Sequence, residues 1–273
     1  MNIRIKQIFL IGRKGFHTAF YSFGLYFVIV IGYILAGLAV NTYIQTITEE
    51  GLLINSKPVS LPLYLAVMVG AIYLAIAASV SISRERESGT LEVLFYGPVD
   101  VVSYVSGKFL EQLWLSGFML LFYILAMLIF CFLTNIGSLL DVLISAVFFW
   151  GLTFSIISFG ILISSITKKI RVSILWLVGL FILFLAISWG DSLTSGLDPQ
   201  VIPEIFLYPM SMLSILAKIT NWISPFAYMD RGMQALSVWN VVSCITSLLY
   251  SWFYSLVLLG LAIFSLQRKG VRG

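Results

Sequence analysis

A cluster of charged side chains in the first half of the chain is the segment best suited to molecular recognition. Of the 16 basic and 12 acidic residues, eight lie between positions 84 and 111, beginning with Arg84-Glu85-Arg86-Glu87. Charged groups of both signs set the register and selectivity of a docking interface more than its affinity. Apolar runs of more than 20 residues precede and follow the cluster. We therefore expect residues 84–112 to form a membrane-flanking loop that meets an aqueous partner.

The sequence offers no set of residues for catalysis or for nucleotide hydrolysis. His17, the single histidine, lies in the basic N-terminal segment, so no Ser-His-Asp or Cys-His arrangement and no histidine metal site is predicted. No GxxxxGK[ST] motif occurs, so this chain cannot hydrolyse ATP through a P-loop of its own. We predict no catalytic residue and no cofactor in this chain. If ATP hydrolysis supplies energy for its function, the hydrolysis must take place on another protein.

The composition predicts an integral membrane protein made of helices. Apolar residues account for 60% of the chain and charged residues for 10%, against roughly 25% charged residues in soluble domains. A span must satisfy its backbone hydrogen bonds internally, and no segment alternates like a barrel strand, so we predict an all-α polytopic fold over a single domain, 1–273. Six segments without ionisable residues reach the roughly 20 residues that a span needs, at about 20–40, 61–83, 113–133, 142–166, 172–190 and 242–266.

The basic residues predict the orientation of these spans. With both termini in the cytoplasm, thirteen of the 16 basic residues fall inside, and Lys57, Lys218 and Arg231 fall outside. This split favours an N-in, C-in topology in the cytoplasmic membrane under the positive-inside rule. The net charge of +4 then reflects contact with anionic membrane lipids, and nucleic acid is not an expected partner.

Two segments outside the six spans are also predicted to contact the membrane. In the segment 1–19, apolar side chains such as Ile5 and Phe16 share one helical face. This pattern indicates an amphipathic helix on the inner leaflet. Residues 191–241 are too apolar for a solvated loop, so we expect a re-entrant or interfacial hairpin on the outer side. That hairpin would either shape a substrate exit or act as a structural cap. The sequence does not distinguish between these two roles.

Small residues recur inside two spans. Ala71, Ala75 and Ser79 lie four residues apart in the second span, so we predict that this stripe packs closely against another helix. The fourth span is also rich in small residues, which would line either a subunit interface or a weakly polar pathway. These residues are Gly151, Ser155, Ser158, Gly160, Ser164 and Ser165.

The outer region contains two weaker sets of candidates. The thioethers of Met210, Met212, Met229 and Met233 are soft ligands of the kind that suit Cu(I), but ordinary packing is the favoured interpretation and no metal site is predicted. A membrane enzyme acting on lipid would have to use the outer carboxylates, whose spacing does not support catalysis. They are Glu49, Glu50, Asp191, Asp198, Glu204 and Asp230.

The charged segment has a distinctive order of residues, which runs Arg84-Glu85-Arg86-Glu87-Ser88-Gly89-Thr90-Leu91-Glu92-Val93-Leu94, then Pro98, then Gly107-Lys108-Phe109. This order resembles the loop after the second helix of ABC-2-type transporter permeases. The resemblance also covers the six-span layout, the N-terminal amphipathic helix, the outer region, Ile223-Ser224-Pro225-Phe226 and Arg231-Gly232.

The resemblance implies a membrane subunit of an ATP-driven transporter, and we expect an exporter. Such a subunit pairs with a second copy or a homologous permease and docks on a separate ATP-binding cassette subunit, which carries ATP and Mg²⁺. The alternative is a membrane scaffold that recruits a cytosolic protein without a transport path. The residues predicted to couple the partner are Arg84, Glu85, Arg86, Glu87, Gly89, Thr90, Leu91, Glu92, Leu94, Pro98 and Lys108.

The physical chemistry of this loop leads to further expectations. Gly89 permits a sharp turn, and Thr90 is expected to cap a new helix whose residues Leu91, Val93, Leu94 and Phe95 form an apolar plug for a partner's groove. Asp100 and Ser103 are expected to cap a second short helix that ends near Gly107. Lys108 is expected to reach the lipid headgroups.

Overall fold

The computed structural model describes residues 3–50, 58–97, 99–134, 137–195 and 204–269. In these ranges the chain forms ten α-helices and no strand, as the sequence predicts. Pro98 and Asp198 lie outside the described residues. The helices are α1 Ile3–Phe20, α2 Phe23–Glu50, α3 Ser60–Glu87, α4 Thr90–Tyr96, α5 Val101–Thr134, α6 Leu139–Ile166, α7 Ile170–Ser195, α8 Glu204–Ile223, α9 Pro225–Ser237 and α10 Val241–Lys269.

Six of the described helices, α2, α3, α5, α6, α7 and α10, are long and apolar enough to cross a membrane, which confirms the predicted spans. Several extend well beyond the apolar runs. Helix α5 has 34 residues, or about 51 Å at 1.5 Å per residue, against a hydrocarbon core of about 30 Å. The charged segment therefore consists largely of helix ends, because Arg, Glu and Lys are good helix formers that can continue a span into water.

The contacts between helices define two ends of the bundle. Helices α6 and α10 run parallel, since the Trp252 indole donates to the Gly151 carbonyl (3.2 Å) and the Ser255 hydroxyl donates to the Phe154 carbonyl (3.3 Å). Arg4 at the start of α1 forms an ion pair with Asp100 (3.4 Å). The start of α1 and the end of α10 therefore lie together at the end of the bundle that carries α4, named here the α4 end. Which side of the membrane this end faces stays a prediction from the basic residues.

The closest helix contact joins α3 and α6. Ala71, Ala75 and Ser79 are buried, and a Cβ atom placed on Gly160 would lie only 2.7 Å from the Ala75 carbonyl oxygen. The Ser164 hydroxyl accepts hydrogen bonds from the backbone N–H of Ile82 and of the next residue, both at 2.9 Å. Small side chains let the two backbones approach, as in other membrane bundles.

Helix α6 is the most buried of the six spans. The small residues of α6 are buried against other helices of this chain. In this structure they therefore line neither a subunit interface nor a weakly polar pathway. Gly151 and Ser158 face α10, where the hydroxyls of Ser158 and Ser255 are hydrogen bonded. Trp150 donates to the Ser116 hydroxyl of α5 at 2.9 Å. Helix α6 is therefore the centre of the bundle.

Helix α1 packs along the first turns of α5. A Cβ atom on Gly107 would lie 2.9 Å from Ile11, and one on Gly12 would lie 3.3 Å from the Gly107 carbonyl oxygen. Phe16 contacts Trp114 edge to face, with ring centroids 6.1 Å apart. These contacts show that α1 packs directly on α5. The placement of α1 on the inner leaflet stays a prediction.

Helices α8 and α9 form a hairpin with its turn at Ser224. The Ser155 hydroxyl donates to the Pro225 carbonyl (3.4 Å), and the Tyr254 hydroxyl donates to the Ile223 carbonyl (2.5 Å). Ser155 and Tyr254 lie near the middle of α6 and α10. The hairpin tip therefore reaches the middle of the bundle, a geometry compatible with the predicted re-entrant region.

The contact between α3 and α6 predicts opposite effects for two glycine substitutions. Gly160→Ala is expected to lower the free energy of unfolding by about 1–3 kcal/mol, because overpacking displaces the α3 backbone. Gly179→Ala in α7 is expected to be neutral or slightly stabilising, since no atom lies within 4 Å of its added methyl group and alanine favours helices over glycine. Thermal unfolding of both purified variants in detergent tests this, and equal midpoints would contradict the proposed packing.

Candidate docking site at the α4 end

The turn between α3 and α4 is made by the backbone. The N–H groups of Ser88 and Gly89 donate to the carbonyls of Arg84 and Arg86, both at 3.1 Å. Gly89 has φ 72°, in the left-handed region where a residue with a Cβ atom is disfavoured. The chain therefore leaves α3 and enters α4 within two residues, which holds the short helix close to the end of the span.

Helix α4 faces both the bundle and the solvent. Leu91 is buried with 7% of its surface exposed, whereas Val93 and Tyr96 are 73% and 85% exposed. Leu94 is half-buried, and Phe95 contacts the ring of Tyr104 at 5.5 Å. The expectation of one continuous outward plug is therefore wrong for Leu91, because that side chain anchors α4 to the bundle. The exposed apolar side chains of α4 are one turn apart, at Val93 and Tyr96.

Thr90 does not cap α4. The residue at the N-cap position is Gly89, which has no side chain to accept a hydrogen bond. The Thr90 hydroxyl instead donates to the Glu85 carbonyl at 3.1 Å and is hydrogen bonded to the Ser88 hydroxyl at 2.9 Å. Thr90 therefore ties α4 back to the last turn of α3.

A buried charge cluster joins the end of α3 to the start of α5. The Lys108 ammonium lies 2.7 Å from a carboxylate oxygen of Glu85 and 3.2 Å from one of Glu111. The Tyr104 hydroxyl donates to the second Glu85 oxygen at 2.8 Å. Lys108 and Glu111 are buried, so the expectation that Lys108 reaches headgroups is wrong. Its helix turns it inward, toward two carboxylates that need a countercharge.

Arg86 and Glu87 bind the turn between α6 and α7. The Arg86 guanidinium donates to the carbonyls of Ser165 (3.2 Å) and Thr167 (2.8 Å) at the end of α6. A carboxylate oxygen of Glu87 accepts the N–H of Ile170, the first residue of α7, at 2.9 Å. A cation at a helix C-terminus and an anion at an N-terminus both complement the helix dipole. These side chains join three helices, α3, α6 and α7, at this end.

Asp100 begins α5. Its carboxylate accepts the Ser103 N–H at 3.2 Å and faces Arg4 at 3.4 Å. Hydrogen bonds from Ser103 are the main cause that lowers the pKa of Asp100, and the positive charge of Arg4 adds to it. The predicted cap is present, but the helix that it starts is the long span α5, which passes Gly107 without a break.

The side chains left facing outward form a mixed surface, named here the docking surface and defined as Arg84, Glu92, Val93 and Tyr96. All four are exposed. Lys168 and Lys169, exposed in the turn beside Glu87, border it. Sequence reasoning missed Tyr96, although its three-residue spacing from Val93 is the helical signal that would have found it.

The other predicted candidates are dispersed. Met229 is fully buried in the core, and Met212 is 68% exposed on α8. Met210 and Met233 are half-buried on α8 and α9. Among the described residues, no three His, Cys, Asp or Glu side chains are grouped as metal ligands.

Two of the outer carboxylates do come together. Asp191 and Asp230 line a cavity of about 140 Å³ between α7, α8 and α9, and Lys218 also lines it. Asp230 also accepts a hydrogen bond from the Tyr64 hydroxyl of α3. The side chains of Glu49, Glu50 and Glu204 lie outside the described residues.

A helical bundle with six helices long and apolar enough to span a membrane, and a short helix between the second and third of them, defines a polytopic membrane protein. The family model for ABC-2 family transporter protein matches residues 41–271. The chain therefore belongs to the ABC-2 transporter family, whose members are membrane subunits of ATP-binding cassette transporters and not themselves ATPases. No curated protein matches the chain.

The buried charge cluster predicts a large loss of stability for Lys108→Met. This change leaves the buried carboxylate of Glu111 and the half-buried carboxylate of Glu85 without their cation, so we expect the free energy of unfolding to fall by about 3 kcal/mol. Arg84→Met removes an exposed charge in the same segment, and its effect is expected within about 0.5 kcal/mol. Thermal unfolding in detergent measures both, and a Lys108→Met protein as stable as Arg84→Met would refute the cluster's role.

Proposed function

We propose that this chain is the permease subunit of an ATP-driven exporter in the cytoplasmic membrane, coupled through α4 to a separate ATP-binding cassette subunit. ATP and Mg²⁺ bind to that partner, which supplies the energy. Membership of the ABC-2 transporter family supports the transporter assignment. The basic residues at the α4 end support its cytoplasmic position.

The observation that carries the proposal is the exposure of Val93 and Tyr96 on a helix that is anchored on its other face. These side chains are 73% and 85% exposed, in a segment too short and too charged to span a membrane. Apolar and aromatic anchors surrounded by charges are typical of the centre of a docking interface. Arg84 and Glu92 supply charges of both signs at its rim.

A movement of α4 would be transmitted through α3 to the helices that the last turn of α3 contacts. Glu85 ties α3 to α5 through Lys108, and Arg86 and Glu87 tie α3 to α6 and α7. At the opposite end of α3, Tyr64 is hydrogen bonded to Asp230 of α9. A push on α4 would therefore displace α3 as a lever and bias the bundle between two packings.

The exposed apolar surface of the spans leaves room for a second permease copy. Helices α2, α5, α7 and α10 have long exposed apolar faces, and residues such as Ile34, Leu125 and Leu256 are more than half exposed. We propose that a second copy, or a homologous permease, packs on part of this surface while membrane lipids cover the rest.

Val93→Asp is expected to disrupt coupling while the protein still folds. A charge at the centre of the interface would cost about 1.4 kcal/mol or more, which weakens partner binding roughly tenfold. Because Val93 is exposed, thermal stability should change little. The measurement is co-purification of the ATP-binding subunit from co-expressing membranes, together with transport-dependent ATPase activity.

Val93→Ile is the matched control, since it keeps an apolar side chain of similar shape and should retain the partner. Leu91→Asp is less informative, because Leu91 is buried and its loss would also destabilise α4. Undiminished partner binding and ATPase activity in Val93→Asp would remove α4 as the docking element.

A further inference from the structure

A groove opens between α8, α9 and α10, away from the α4 end. It has a volume of about 680 Å³. It runs along α10 from Asn240 to Tyr250, or about 15 Å at the rise of a helix. No Asp or Glu is among the described residues that line it, whereas Lys218 and Arg231 both do. Its charge is therefore positive.

Arg231 is held in place at the groove. Its guanidinium lies over the ring of Trp222 (4.8 Å to the centroid) and beside the ring of Tyr228 (5.1 Å). It also donates to the Asn221 carbonyl. A guanidinium fixed by stacking retains further N–H donors and loses little freedom when it binds an anion.

The polar residues of α10 face the same groove. Thr246, Ser247 and Tyr250 lie three, four and seven residues after Ser243, so the four share one helical face. Asn240 accepts the N–H groups of Val242 and Ser243 through its Oδ1 atom (3.1 and 3.3 Å), which leaves its amide nitrogen to donate. The Thr246 and Ser247 hydroxyls donate to the Ser243 carbonyl (3.1 and 2.7 Å), so they make this face polar, and the amide of Asn240 is its remaining donor.

The groove also has apolar parts. The rings of Trp222 and Tyr250 lie 5.5 Å apart at the end nearest the hairpin tip. Ile245 and Leu249, on the neighbouring face of α10, are 53% and 58% exposed. A ligand in this groove would contact cations and amides on one side and apolar side chains on the other. A small inorganic anion would use the polar side alone.

We propose that this groove binds a phosphate-bearing amphiphile, with the phosphate at Lys218 and Arg231 and the apolar chain along the aromatic rings and the exposed face of α10. The inference does not depend on the proposed transport function, because binding is a property of this chain alone. The neighbouring cavity shares Lys218 and Asn221 with this groove but is also lined by Asp191 and Asp230, whereas Arg231 lines the groove alone.

Native mass spectrometry of the purified full-length chain in detergent tests the proposal. The protein is titrated separately with dioctanoyl phosphatidylglycerol, dioctanoyl phosphatidylcholine and inorganic phosphate. We expect retention of phosphatidylglycerol with at least about tenfold preference over the zwitterionic lipid. Both lipids carry the phosphodiester, but Lys218 and Arg231 repel the quaternary ammonium of phosphatidylcholine. Retention of free phosphate as tight as that of phosphatidylglycerol would overturn the amphiphile assignment.

Variants locate the binding. Arg231→Gln is expected to weaken phosphatidylglycerol retention about tenfold, whereas Arg268→Gln, which removes an exposed cation at the other end of α10, should bind like the unchanged protein. Thr246→Trp fills the groove without altering either cation and decides the outcome if Arg231→Gln unfolds. If Thr246→Trp leaves phosphatidylglycerol retention unchanged, the proposal is overturned. It is also overturned if a second copy of the chain fills the groove, which would be seen as dimers that Thr246→Trp dissociates while lipid binding is unchanged.

Discussion

The close approach of α3 and α6 is the constraint on which the rest of the bundle depends. Between helices in lipid the hydrophobic effect supplies little net attraction, so association relies on packing and on interhelical hydrogen bonds. Gly160 brings the α6 backbone against Ala75, and Ser164 binds the backbone of α3. With α3 held there, its two ends are positioned for α4 on one side and for α9 on the other.

The charges at the α4 end follow from that position. Once α3 and α6 are in register, Arg86 meets the carbonyls at the end of α6 and Glu87 meets the first N–H of α7. Glu85 faces Lys108 across the gap to α5. Burying an ion pair costs desolvation that its attraction offsets in part, so these contacts act mainly by defining how α3 meets α5, α6 and α7. The outward charges and the exposed side chains of α4 then form the surface that we propose binds a partner.

The opposite half of the molecule combines polar and apolar surfaces in a different way. The α8–α9 hairpin carries its turn to the middle of the bundle, where Ser155 and Tyr254 bind its backbone. Buried polar backbone at a helix break needs such partners. The same arrangement leaves Arg231 stacked on aromatic rings beside a polar face of α10.

Much of the fold could be predicted from composition and local pattern. The six charge-free runs predicted the spans. The functional role assigned to the charged segment between the second and third spans stays a prediction. Helix lengths were underestimated, because α3 and α5 continue into their charged ends where water removes the cost of charge. The surroundings of the small residues in α6 were left open, since a stripe of Gly and Ser packs equally well against a helix of the same chain or of another.

The sequence by itself determined the solvent, the number of spans and the position of the charged segment, because each follows from runs of residues that are adjacent in the chain. Only the tertiary structure decided which of those residues are buried and which are exposed. Leu91 turns inward and Val93 outward, and Lys108 is enclosed by Glu85 and Glu111. Such facts depend on the rotation of each helix about its axis and on neighbours that are distant in sequence.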